Sequence, residues 1–152
     1  MSTLESRFGS IDYQDQDVLH FPDGLVGFSG LNSFLLLEHK PGSAFRWLQS
    51  VDDPAVAFLM ADPFVYVPDY APMIGDGALA SLGLTPDTVT FTYVTAAIPH
   101  GKPREMTVNL AGPIVINAET GTGRQLVLDN EAYTTQHRVF PNAEKQGSDA
   151  AA

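Results

Sequence analysis

The sequence predicts an all-β domain, a small antiparallel barrel-like fold with one or two short helices. Three observations point there. Short apolar runs recur along the chain, and each stops at a Gly, Pro or Asp turn signal. Apolar and polar residues alternate with period two, most plainly where Val89, Phe91 and Tyr93 interleave with Thr90 and Thr92. Helix is scarce and no regular crossover helices separate the strands, as a parallel sheet would require. Closing the sheet into a barrel would hide its edges.

The elements follow in order. Residues 4–8 and 11–13 flank Gly9-Ser10 and read as a hairpin. A strand at 18–21 ends at Pro22-Asp23-Gly24, where Pro presets φ and Gly accepts a positive φ. Strands at 34–38 and 45–50 are bounded by Pro41-Gly42 and by Asp52-Asp53-Pro54. Strands at 56–61 and 89–96 follow. At 106–110, Met106, Val108 and Leu110 alternate with Thr107 and Asn109. Pro113 has no N–H to give a ladder, so the next strand is 114–117. Gly121-Thr122-Gly123 turns into a last strand at 124–128. One helix is expected at 76–82, with Asp76 as N-cap, Ala78, Leu79, Ala80 and Leu82 as formers and Gly83 as the stop. A shorter turn is expected near 29–32. Trp47, Phe58, Phe91 and Tyr93 read as core, and the face of 45–50 that carries Phe45, Trp47 and Gln49 is taken as inward. The domain spans 1–140. Residues 141–152 have no apolar period and read as a disordered tail.

Composition narrows the function. Of 152 residues, 44% are apolar and 17% charged, which fits a packed domain and not a disordered polymer. Lys plus Arg number 8 against 18 Asp plus Glu, a net charge of −10. That balance opposes direct nucleic-acid binding and an anionic membrane surface. There is no cysteine, hence no disulfide and no thiolate zinc site. The N-terminal residues lack a secretory pattern, and no apolar run approaches the ~18 residues of a membrane span. A soluble cytoplasmic protein is expected. No Lys or Arg falls between Arg46 and Lys102, a gap that holds Asp52, Asp53, Asp62, Asp69, Asp76 and Asp87. A second acidic run comprises Asp12, Asp15, Asp17 and Asp23. Such a surface favours basic partners, or serves solubility alone.

Catalytic signatures are not found. His20, His39, His100 and His137 are not at metal-ligand spacings. Asp52-Asp53-Pro54 fits a turn better than a carboxylate pair, since adjacent strand residues face opposite ways. Gly121-x-Gly123 opens no helix that could hold a phosphate. No catalytic residue, metal site or cofactor is expected. The segment Asp62-Pro63-Phe64-Val65-Tyr66-Val67-Pro68-Asp69-Tyr70 is different. Its prolines bar a central strand, so it reads as an edge or loop. Aromatics beside carboxylates there make a protein-contact patch, with Phe64 and Tyr66 as plugs of a barrel end the other reading.

Several blocks, in order, resemble the flagellar assembly factor FliW family. They are 21–28 (Phe-Pro-Asp-Gly-Leu-Val-Gly-Phe), Leu37-Glu38-His39 with 45–50 and Asp53-Pro54, then Asp62-Pro63-Phe64 with Pro68-Asp69-Tyr70. Met106-Thr107-Val108-Asn109-Leu110, Gly112-Pro113 with 114–117, Gln125-Leu126-Val127-Leu128-Asp129 and Tyr133-Thr134-Thr135-Gln136-His137 complete the set. The resemblance covers residues 8 to 137. It implies a monomeric, non-enzymatic, cytoplasmic barrel-like protein that works by binding. Members bind the RNA-binding translational regulator CsrA, relieving its repression of flagellin synthesis, and bind flagellin before export. Free flagellin would occupy the protein and leave CsrA active. The candidate partner-binding residues are Asp62, Phe64, Tyr66, Asp69 and Tyr70, with Asp52, Asp53 and Asp76 adding field. Many members carry more carboxylates where this chain has 71–77 with Asp76 alone. The alternative is a barrel that takes a small ligand, or an enzyme of unknown substrate. A polar interior cavity would support that alternative and a filled interior would oppose it.

Overall fold

The structure is a computed structural model, and it describes residues 2–6, 8–38 and 42–140. The expected tail at 141–152 and His39 lie outside the described residues. Among those residues the strands are antiparallel. β1 (Ser2–Ser6) and β2 (Gly9–Tyr13) form a separate hairpin. β3 (Leu19–His20), β4 (Ser33–Glu38), β5 (Phe45–Ser50), β6 (Ala57–Ala61), β7 (Thr90–Ala97), β9 (Ile114–Asn117) and β10 (Gly123–Gln125) run side by side in one sheet, in the order β10-β9-β7-β6-β5-β4-β3. β8 (Thr107–Val108) continues along the far half of β7 and carries β11 (His137–Arg138). Two helices interrupt the strands, α1 (Pro63–Tyr66) and α2 (Asp76–Leu82).

The sheet curls until its ends meet. His20 donates its N–H to the Gly121 carbonyl at 2.8 Å, and His20 bridges Thr122 in a single parallel contact. The ladder does not close, so the fold is barrel-like. Register fixes the two faces. Leu48 opposes Leu36 and Phe58, and Ile114 opposes Tyr93. These side chains point inward and join Phe21, Phe34, Met60 and Ile116 in a closely packed interior. Phe34 meets Phe21 edge-on at 5.3 Å. Gly123 lies with its α-carbon against the Phe21 ring, where any Cβ would collide. Gly24, at φ +65°, makes the turn after Phe21, as Pro22-Asp23-Gly24 predicts.

The outer face is covered in three pieces. The β1–β2 hairpin supplies Phe8 against Trp47, centroids 5.0 Å apart. α1 and residues 67–70 cover Ala61 and Val94, together with Val108 and Leu110. α2 covers Val115 with Ala78 and Leu82, beside Leu126.

Several expectations are corrected. The first hairpin turns before Gly9, not at Gly9-Ser10, because Ser6 pairs with Gly9. Phe45, Trp47 and Gln49 do share a face, but it is the outer one. Leu48 is the inward residue, and Trp47 is only partly buried. Phe91 is 44% exposed and not core. β6 pairs with β7 only at Val94 and Thr95, so the first half of β7 leaves its β6 side uncovered. The strands at 106–110 and 124–128 are shorter than expected. β11 is a strand the sequence did not announce. α2 has the expected span and stops at Gly83, yet its N-cap is Gly75, with Asp76 already inside the first turn. The 62–70 segment is neither strand nor irregular loop throughout, since it opens with one turn of helix.

Candidate protein-binding surface

That turn has a local cause. Asp62 has extended backbone, and its Oδ1 accepts from the Phe64 N–H at 2.9 Å. Pro63 follows at the first helical position, where its missing N–H costs nothing and its φ is already helical. Pro63 is buried, which pins the turn to the sheet and aims the next two side chains outward. Phe64 is 44% exposed and Val65 57%. Tyr66 turns back to pack on Phe45 and Phe140, and burial raises its hydroxyl above the ordinary tyrosine range.

Asp69 is exposed, whereas Tyr70 is core. The Tyr70 hydroxyl donates to the Leu110 carbonyl at 2.6 Å, and the ring meets Tyr133 edge-on at 4.7 Å. Burial, then the adjacent Tyr133, hold the Tyr70 hydroxyl far above its usual pKa. The expectation that Tyr70 is a surface anchor is therefore corrected. Its polar end is consumed by Leu110 and its ring by Tyr133.

Asp62 and Phe64 line a shallow groove of about 190 Å³ together with Thr90, Phe91, Thr92 and Tyr93. Phe64 and Phe91 are its exposed apolar elements, and the Asp62 carboxylate and two threonine hydroxyls are its polar ones. Tyr93 is held toward its neutral form by burial, against the pull of the Arg46 guanidinium that hydrogen-bonds it. Phe91 is the residue that sequence reasoning missed here. Its signal was the short reach of 56–61 against 89–96, which leaves part of the longer strand without a neighbour.

The remaining acids lie outside this groove. Asp52 Oδ2 accepts from Asn32 N–H at 2.7 Å and Ser33 N–H at 2.9 Å, tying the loop after β5 to the start of β4. Asp53 Oδ1 accepts from Ala55 N–H within its own turn. Asp76 is exposed in the first turn of α2. Of the eight sequence candidates, the groove brings together Asp62 and Phe64. Asp69 stands exposed beyond α1, Tyr66 and Tyr70 pack inward, and Asp52, Asp53 and Asp76 sit elsewhere. The barrel interior is filled by Phe21, Phe34, Leu48, Met60, Ile114 and Ile116, which opposes the small-ligand alternative. Among the described residues no cluster of three His, Asp or Glu could hold a metal ion. No helix among them is long and apolar enough to cross a membrane.

Comparison with known proteins agrees with this architecture. The FliW protein family model matches residues 3–139. The flagellar assembly factor FliW of Moorella thermoacetica is 39% identical over 140 residues, covering 92% of this chain and 89% of that protein. The same factor from Desulfitobacterium hafniense is 34% identical over 148 residues, 97% of both. A crystal structure of the flagellar assembly factor FliW superposes with a TM-score of 0.85 at 33% identity, covering 93% of this chain and 99% of that one. A closely superposing solved structure, a matching family model over nearly the whole described chain and relatives at this identity leave one conclusion: the chain belongs to the FliW family of flagellar assembly factors.

Proposed function

We propose that this protein acts in the cytoplasm as a binding regulator of flagellin supply, without catalysis or cofactor. In this reading it captures a CsrA-type RNA-binding regulator and relieves the repression of flagellin synthesis. It also binds flagellin before export. The observation that carries the reading is the family match over residues 3–139. The surface supports it. Phe64 and Phe91 offer exposed aromatic area, and Asp62 and Asp69 lie in a stretch without Lys or Arg. A basic RNA-binding protein would be drawn to such a field, and the aromatics would then hold it. Asp52 and Asp53 contribute charge at a distance, since their carboxylates already serve backbone N–H groups.

Calorimetry with purified CsrA-type protein and with flagellin tests the reading. Each should bind, and Phe64→Ser should weaken at least one of them by about tenfold while leaving the melting curve in place. Association with the RNA-binding partner should slow as salt rises. If neither protein binds, the reading fails. If both bind undisturbed by Phe64→Ser and Phe91→Ser, the function stands and the surface is elsewhere.

A further inference from the structure

A second groove, of about 650 Å³, lies between residues 73–75 and 127–131. Three properties mark it. First, it borders an open strand edge. Leu126 and Leu128 donate their N–H groups to Pro113 and Ala111, extending β10 along the chain that leads into β9. The alternation of a strand then turns the N–H and C=O of Val127 and Asp129 the opposite way, and among the described residues neither amide has a partner. Secondly, its walls are the two most exposed large apolar side chains among the described residues, Met73 at 84% and Val127 at 79%. Leu126 and Leu128 pack against the α2 side, so the same alternation leaves Val127 outward. Thirdly, its polar rim is acidic. Asp129 and Glu131 line it, Asp76 follows Gly75 at its other wall, and among the described residues no Lys or Arg lines it.

We propose that this groove binds an extended basic segment of a partner protein by strand addition. The segment pairs its backbone with Val127 and Asp129. It seats an apolar side chain between Met73 and Val127 and presents Lys or Arg to Asp129, Glu131 and Asp76. Charge selects this occupant. A second copy of this chain carries a net charge of −10 and would bring like charge to an acidic rim. An unpaired edge flanked by apolar walls matches backbone-led peptide recognition, in which main-chain bonds give affinity and alternate side chains give specificity. The inference is independent of the Phe64 surface, because the two grooves share no residue.

The test uses the full chain labelled with ¹⁵N and three blocked hexapeptides: alternating Lys–Val, alternating Glu–Val, and Lys–Val interrupted by proline. The Lys–Val peptide should shift the Val127 and Asp129 amides and the Met73 methyl, and should slow hydrogen exchange at those two amides. The Glu–Val peptide should bind at least about tenfold more weakly. The proline-interrupted peptide, short of a backbone donor, should bind about fivefold more weakly. Val127→Pro removes an N–H that is unpaired in the free protein, so the fold should persist while Lys–Val binding drops about fivefold. Val127→Lys, which places on the acidic rim a positive charge like that of the Lys–Val peptide, is a second variant and should also weaken that peptide's binding about fivefold while the fold persists. Phe64→Ser should change none of these values, which separates this groove from the surface proposed above. Equal binding of the three peptides, shifts centred away from Val127 and Asp129, or concentration-dependent self-association through this groove without peptide binding would each overturn the proposal.

Discussion

The inner and outer faces of the curled sheet are built from the same strands and equally apolar side chains, yet they are finished differently. Inside, Phe21, Phe34, Leu48, Met60, Ile114 and Ile116 come from five parts of the chain and fill one space. Outside, Trp47, Ala61, Val94 and Val115 are covered piecemeal by a hairpin, one turn of helix and a two-turn helix. Phe64 and Met73 stay exposed beside those covers, Phe91 at the uncovered edge of β7, and Val127 on the side of its segment turned away from α2. A continuous interior sets stability, and a patched exterior leaves places for partners. This division predicts that equal truncations on the two faces have unequal costs.

The largest difference should separate Phe34 from Trp47. Phe34 is fully buried and touches Phe21 and Phe58, so Phe34→Ala should cost about 3–5 kcal/mol. Trp47 is larger but only partly buried, and its ring neighbour Phe8 is itself 44% exposed. Trp47→Ala should cost roughly 1–2 kcal/mol. Urea unfolding of both variants measures the gap. Equal losses would mean that the outer face is as well finished as the inner one.

Tyr70 sharpens the comparison, since it belongs to the outer face and is nevertheless buried. Tyr70→Phe keeps the ring contacts and leaves the Leu110 carbonyl without its donor, a loss of about 1–2 kcal/mol near neutral pH. A pH dependence follows from the same burial. The folded hydroxyl holds its proton more tightly than the unfolded one, so its contribution is complete below the ordinary tyrosine pKa of 10.0. Above that value the unfolded chain loses the proton first, and stability should fall as pH rises. Tyr66 and Tyr93 are raised in the same direction and should add to the fall. Unfolding measured from pH 8 to 11 should show the decline in the parent and a shallower one in Tyr70→Phe. A flat profile in the parent would place the Tyr70 hydroxyl in water.

What could be read in the sequence divides along the same line. Strand centres were legible wherever alternation was strong, and β5 and β9 have the expected bounds. Which face is inward was not legible at Trp47, because alternation says that two faces differ and not which one is covered. The α1 turn was written in Asp62-Pro63, an N-cap followed by proline at the first helical position. It was obscured because the same prolines also read as strand breakers. Tyr70 looked like a contact residue by type. Its burial depends on Leu110 and Tyr133, distant in sequence, so no local pattern could announce it. The groove at Met73 and Val127 has the same origin, two segments more than fifty residues apart in number. Of the candidate residues, Asp62 and Phe64 take their positions from neighbours in sequence, whereas Tyr66 and Tyr70 take theirs from distant covers that no local pattern announces.

The smallest expected effect distinguishes two exposed acids that composition counts alike. Asp52 accepts two backbone N–H groups with one oxygen and so holds the entry to β4 against the exit from β5. Asp52→Ala frees the Asn32 and Ser33 donors, as loss of an N-cap does, and should cost about 1 kcal/mol. Asp69 is exposed, and none of the described hydrogen bonds involves its carboxylate. Asp69→Asn should therefore move stability by less than about 0.5 kcal/mol. Its effect should appear in kinetics: slower association with a basic partner and a shallower dependence of that rate on salt, with dissociation nearly unchanged. Asp52→Asn keeps one oxygen acceptor for the two amides and should lie between the two in stability. Stopped-flow association at several salt concentrations, run beside thermal melts, separates charge that holds the fold from charge that attracts a partner. If Asp69→Asn lowers the melting temperature as far as Asp52→Ala, the two acids are doing the same job and the patched face owes its carboxylates to folding rather than to encounter.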